Sequence, residues 1–306
     1  MGNKLIAWIR IQELYKHPTV FFPFLLGTAI AWSEARVIDW RVFAISIVIT
    51  YLLTNGAFIS NEYFDYESDR INVERIGGDK VGVTTTGGTR VLVEGLLPGK
   101  QALIASILFF VAAIPLGALL QFHLNTGRLT LPLVILGILG GWFYTAPPIK
   151  ASYRGFGELF MGIGFTIPVI AAYYVLQGFS WLPLIAALPW MIDVPALKII
   201  REFPDHDADV AVNRRNLVVI FGREKMASVY ILLTICSLIL FVPVIFIINR
   251  LTVLLLLLSA FFLLRSLIPM TRGKWRNKDE LGDICENGFI GMLFIPLTLI
   301  IIFLLR

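Results

Sequence analysis

Two stretches of this chain carry oxygen-bearing side chains at helical spacing. In Asn61-Glu62-Tyr63-Phe64-Asp65-Tyr66-Glu67-Ser68-Asp69-Arg70, the residues Asn61, Asp65 and Asp69 stand four apart. Residues four apart share one helix face, so all three point the same way. Asp205 and Asp209 repeat the spacing in Arg201-Glu202-Phe203-Pro204-Asp205-His206-Asp207-Ala208-Asp209. Asp207 falls on the opposite face and reads as a solvated residue. Hard oxygen ligands at this density suit Mg2+, which binds through one or two carboxylates and shares its shell with phosphate. Zinc does not fit, because the chain has only 3 His and 2 Cys.

The elements that position these acids are apolar. Of the 306 residues, 57% are hydrophobic and 15% charged, against about a quarter charged in a soluble domain. Mean hydropathy is +0.79. The class is therefore an all-α, multi-pass membrane protein, read as one domain over 1–306. A spanning helix needs roughly 20 mostly apolar residues. Nine stretches qualify, near 18–34, 42–61, 101–122, 129–146, 157–177, 181–201, 226–248, 251–269 and 287–305. Gly137, Gly140 and Gly141, and Gly157, Gly162 and Gly164, are candidates for close helix approach. Leu5 to Leu14, interrupted by Arg10, reads as an amphipathic lead-in helix rather than a cleaved signal. Ile6 stands where a myristoylation motif wants Ser or Thr. Cys236 and Cys285 form no disulfide framework.

The charge map orients the nine spans. With the N-terminus in the cytoplasm, 21 of the 26 Lys and Arg fall on inner segments, as the positive-inside rule requires. The C-terminus is then outside, and both acidic motifs lie on the cytoplasmic face. The net charge of +5 follows from topology and calls for no nucleic acid. No protein partner is predicted either. The inner segments 70–100 and 202–225 are too long for plain connectors and suit lids or binding loops.

Membrane-edge carboxylates cost about 2.5–3.5 kcal/mol each on insertion scales. Four of them need a cation or basic groups nearby. One acid emerging into water explains itself as a solvated helix end. Two motifs of equal spacing on one side, with basic loops beside them, point instead to a metal–diphosphate complex. A lipid diphosphate fits, with its head between the helix ends and its tail among the apolar helices. Departure of diphosphate from an allylic carbon leaves a cation, which aromatic faces within about 6 Å stabilise. Tyr63, Phe64, Tyr66, Phe143, Tyr144 and Tyr153 are candidates, although an interfacial belt places aromatics there too. Glu158 and Asp193, inside spans five and six, suit packing as well as catalysis.

At these residues the chain resembles the UbiA superfamily of intramembrane prenyltransferases. The likeness rests on Asn61-x-x-x-Asp65-x-x-x-Asp69-Arg70, on Tyr144-Thr145-Ala146-Pro147-Pro148-Ile149-Lys150, and on Asp205-x-x-x-Asp209 followed by Arg215-Asn216-Leu217. It implies nine helices around a central cavity with a cap on the cytoplasmic side. It implies transfer of a prenyl chain from a polyprenyl diphosphate to an acceptor. Asn61, Asp65, Asp69, Asp205 and Asp209 would then hold Mg2+ and the diphosphate. Arg75, Arg90, Lys150 and Arg215 are candidates for diphosphate contacts, and Tyr144 for facing the allylic carbon. After Asn72 many members continue with Lys-Pro and an Arg, whereas here Val73-Glu74-Arg75 follows. Gly87-Gly88-Thr89-Arg90-Val91-Leu92-Val93-Glu94-Gly95 and Arg201-Glu202-Phe203-Pro204-Asp205 resemble the menaquinone branch, the 1,4-dihydroxy-2-naphthoate prenyltransferases.

An aromatic quinone precursor is the expected acceptor. A glycerol-ether lipid precursor or a protoheme remains open. An ion transporter would instead carry its acids through the bilayer, but here the polar groups cluster at one face. A CDP-alcohol phosphotransferase lacks support, since its Asp-Gly start and Ala-Arg pair are missing. Gly77-Gly78-Asp79 lies in a loop and does not make an intramembrane aspartyl protease.

Overall fold

The computed structural model describes residues 2–72, 88–241 and 250–306. The described residues are helical and contain no strand. The helices are α1 (Gly2–Ile11), α2 (Pro18–Ala35), α3 (Trp40–Phe64), α4 (Tyr66–Ile71), α5 (Gly99–Ala118), α6 (Thr130–Phe143), α7 (Gly157–Gly164) and α8 (Ile167–Gln177). They continue as α9 (Leu182–Arg201), α10 (His206–Ala211), α11 (Leu217–Phe221), α12 (Arg223–Leu240), α13 (Arg250–Thr271) and α14 (Lys278–Leu305). Every expected apolar stretch contains helix in its described part. Among the described residues, 5 helical segments suffice by length and composition to cross a membrane: Trp40–Phe64, Gly99–His123, Gly157–Gln177, Leu182–Arg201 and Lys278–Leu305. Thr130–Phe143 and Leu256–Thr271 are shorter apolar helices.

Local sequence sets the helix ends. The Asp39 carboxylate accepts from the Arg41 and Val42 amides and starts α3, the expected service of an Asp N-cap. Asn277 does the same for α14. The expected fifth span is interrupted. Proline has no N–H to donate, and Pro168 lies in the first turn of α8. The helix breaks just before it, and the Trp190 indole donates to the Phe165 carbonyl at 3.0 Å. Trp190 is fully buried in the largest apolar cluster among the described residues, with Leu26, Val169, Val194, Tyr230 and Met292.

The glycines divide by task. A Cβ on Gly141 would stand 2.9 Å from Ala57, and one on Gly162 would stand 2.9 Å from Pro195. Gly137 meets Leu53 and Gly157 meets Ser152 in the same way. These allow close helix approach. Gly140 and Gly164 have nothing within 4 Å. Both line a cavity of about 400 Å³, as Gly137 and Gly141 also do.

That cavity is bounded by α2, α3, α6, α7, α8, α9 and α14. Its lining on α3 runs from Ser46 to Asp65, about 28 Å at the helical rise. Most of the wall is apolar, including Phe24, Ile49, Val134, Phe165, Ala172 and Met292. Charged side chains gather at the Asp65 end. The two short helices α4 and α10 pack on each other across that mouth.

Candidate active site

Asp65 stands at the junction of α3 and α4, and Asp69 one turn later on α4. Asp205 immediately precedes α10, which carries Asp209. The packing of α4 on α10 therefore joins the two acidic motifs. The Ser68 hydroxyl donates to Asp209 Oδ1 at 3.3 Å. The Asn72 amide donates to Asp205 Oδ1 at 2.7 Å. Asp65, Asp69 and Asp205 line the cavity, and Asp209 lies behind them, 2% exposed. Asn61 also lines it, accepting from the Thr145 hydroxyl at 2.8 Å. That bond ties the first motif to the Tyr144–Lys150 segment. Tyr144 faces the cavity beside it.

Electrostatics at the mouth is dominated by crowding of acids. Burial, with Asp65 and Glu62 adding repulsion, pushes the Asp69 carboxyl well above its ordinary range. Burial lifts Asp209 to about 6, although Arg214 opposes the shift. Burial and the adjacent Asp65 raise Tyr153, whose hydroxyl donates to Asp65 Oδ1 at 2.8 Å. Asp207 is exposed and pairs with His206.

The basic residues are distributed differently from the sequence expectation. Arg75 lies outside the described residues. Arg90 has positive φ and donates to the Asp69 carbonyl at 3.0 Å. The Lys150 ammonium sits 5.2 Å from the centre of the Tyr153 ring. The Arg215 side chain is exposed, and its backbone N–H donates to the Tyr153 carbonyl. None of these three lines the cavity, whereas Lys16, Lys198, Arg201 and Arg214 do. Arg214, not its neighbour, turns inward. Asn213 has φ of 56°, a conformation Asn tolerates in turns. The turn returns the Arg214 N–H to the Asp209 carbonyl at 2.8 Å. The Asn213-Arg214 pair after Asp209 is the sequence signal that could have singled Arg214 out.

Glu62 was also missed. It accepts from the Thr89 N–H at 2.8 Å, the Thr89 hydroxyl at 2.7 Å and the Val91 N–H at 3.1 Å. This holds the segment after residue 87 against the end of α3. Gly88 has positive φ, and a Cβ there would fall 2.2 Å from Asp69 Oδ2. Only glycine admits so close a backbone. Arg10 on α1 braces the same segment through Glu94 and the Thr89 carbonyl. Glu158 accepts from the Leu217 N–H at 3.2 Å, and Asp193 is buried among α9 neighbours.

The donor set fits Mg2+ in kind: carboxylates and an amide clustered at one mouth. Among the described residues, however, no three acidic, His or Cys groups stand close enough to grip a metal. Tyr153, Asn72, Ser68 and Asn216 donate to the carboxylate oxygens instead, with the Arg214 guanidinium nearby.

The UbiA prenyltransferase family profile matches residues 20–281. A 1,4-dihydroxy-2-naphthoate octaprenyltransferase of Bacillus subtilis is 25% identical over 67% of this chain. The chain spans 62% of that relative's length. A 2-carboxy-1,4-naphthoquinone phytyltransferase of Synechocystis is 26% identical, covering 76% of this chain and 71% of that one. Among solved structures, a UbiA homolog from Archaeoglobus fulgidus bound to DMAPP and Mg2+ has a TM-score of 0.64 at 14% identity, covering 94% of this chain and 99% of that chain. An apo UbiA homolog from Aeropyrum pernix reaches 0.68 at 15% identity, covering 93% and 96%. These structures share the fold. With the profile spanning most of its length, the chain belongs to the UbiA prenyltransferase family.

Proposed function

We propose that this protein is an intramembrane enzyme that transfers a polyprenyl group from an allylic diphosphate to an aromatic quinone precursor. One observation carries the reading: two acidic motifs far apart in the chain come together at the mouth of an apolar cavity, where Asn72, just after the first, bonds to Asp205, 133 residues on. Such a site is built for a molecule with an anionic head and a hydrocarbon tail.

The chain's residues divide the work. Asn61, Asp65, Asp69, Asp205 and Asp209 would hold Mg2+. When bound, the metal supplies positive charge to the leaving diphosphate. Arg214 adds charge at the same mouth. The apolar wall orients the tail and excludes water. Tyr144 presents a ring where positive charge develops on the allylic carbon. The relatives that act on naphthoate and naphthoquinone support the aromatic acceptor. We read nine spans with the N-terminus and the site in the cytoplasm, the C-terminus outside, and one domain over 1–306.

The test is a product assay. Purified protein with labelled geranylgeranyl diphosphate, Mg2+ and a panel of acceptors should prenylate dihydroxynaphthoate and stop when the metal is chelated. Labelling of a glycerol-ether precursor alone would replace the acceptor. Activity indifferent to chelation would remove the metal from the reading.

A further inference from the structure

We infer that Arg214 is the resident counter-cation of the acidic cluster, and that a divalent ion must compete with its guanidinium for Asp65 and Asp209. The inference rests on the metal–diphosphate reading above and adds a role that the reading does not contain.

Arg214 bridges the two motifs. Its Nη1 lies 3.6 Å from Asp65 Oδ2 and 3.8 Å from Asp209 Oδ1, with 11% of its side chain exposed. Its guanidinium carbon stands 4.8 Å from the centre of the Tyr153 ring. It lines the cavity, so a ligand at the mouth can reach it.

The manner of holding is informative. Structural arginine–carboxylate pairs favour two parallel bonds of about 2.7–2.9 Å. Both contacts here are longer than a hydrogen bond. The buried Nε has no partner. Charge and ring stacking hold the group, and directed bonds to the acids do not. A cation held this way neutralises the cluster without closing it. It also stands between Asp65 and Asp209, where it keeps the acids from converging on a metal.

Other cations at the mouth are committed elsewhere. Lys198 is paired with Glu202, and Lys16 with Glu13. Arg201 lies against Phe289. Asp69 and Asp205 face the same cluster, so loss of Arg214 leaves four carboxylates to attract an incoming ion.

The experiment titrates Mn2+ into purified wild type and Arg214→Met in detergent, without diphosphate, by electron paramagnetic resonance. The variant should bind Mn2+ about tenfold more tightly, the scale of one unit charge near 4 Å. Its melting temperature without metal should fall below wild type and rise more when Mn2+ is added. Arg214→Lys, whose compact ammonium cannot span both acids, provides a second variant if the first does not fold, and should bind several-fold more tightly. Unchanged or weaker Mn2+ affinity in the folded variants overturns the inference. Wild type with inorganic pyrophosphate is the control. If it binds no Mn2+, the metal reading fails and this inference with it. If it binds Mn2+ while the variants gain nothing, the Arg214 role alone fails.

Discussion

Asn72 Nδ2 lies 2.7 Å from Asp205 Oδ1, and this bond joins the end of α4 to the start of α10. Each of these helices has 6 residues, too few to persist alone in water. They support each other, and the acids they carry come together as a result. Asn72→Ala should leave the protein folded and lower turnover about 10–100-fold, the usual scale for a residue that orients metal ligands. Asp65→Ala and Asp205→Ala should abolish turnover with the melting temperature little changed. Steady-state rates on detergent-purified variants check both. Wild-type rates in Asp205→Ala would remove the second motif from the site.

Metal binding through Asp209, as proposed, would depend on pH. Its carboxyl is pushed up to about 6 by burial, above the ordinary value near 3.9. An acid raised in the folded state contributes stability that is full below its unfolded value and lost as pH rises through its folded value. The metal-free protein should therefore lose stability between about pH 4 and pH 6. Mn2+ affinity should move the other way, rising across the same window as the ligand sheds its proton. Asp209→Asn should weaken both dependences, leaving the part contributed by the raised Asp69 carboxyl. A wild-type Mn2+ affinity that does not vary between pH 5 and pH 7 would contradict this.

Glu62 anchors the cap edge through its bonds to Thr89 and Val91. Glu62→Ala leaves those buried donors unpaired, at a cost of about 1–3 kcal/mol each where water cannot replace the carboxylate. Faster proteolytic cleavage within 88–98 and a lower melting temperature are expected. Glu62→Gln, which keeps one acceptor oxygen, should lie between. Equal cleavage rates in all three proteins would show that the segment is held elsewhere.

Gly140 faces open cavity rather than a neighbour. Gly140→Leu should fold, because a Cβ there meets nothing within 4 Å and the side chain enters the cavity. It should also obstruct the tail. Use of geranylgeranyl diphosphate should fall about tenfold or more relative to dimethylallyl diphosphate, the loss expected when a pocket rejects a few methylenes at about 1–3 kcal/mol. A competition assay with both donors reads the ratio directly. Equal losses for the two donors would place the tail elsewhere.

The helical class, the apolar stretches and both acidic motifs were legible because spacing and hydropathy are local properties. The solvated role of Asp207 followed from helix phase in the same way. The basic contacts were harder to read. Whether Arg214 or Arg215 turns inward depends on a single positive φ at Asn213, and residue composition treats the two arginines alike. Arg90 and Lys150 are near the site, but one bends to a carbonyl and the other to a ring. Glu62 was passed over because its partners come from a segment 27 residues away. The break between α7 and α8 had a signal in Pro168, but the indole that satisfies Phe165 comes from α9.

The depth of the cavity bears on how turnover ends. Its wall is mostly apolar between Asp65 and the level of Ser46, and the alkylated product keeps its hydrocarbon tail while losing the charged head that held it at the mouth. Such a molecule has little reason to depart through the aqueous face. Egress sideways, between helices and into the surrounding lipid, is the downhill route, and the exit step should respond to the thickness and fluidity of the membrane in which the enzyme is reconstituted.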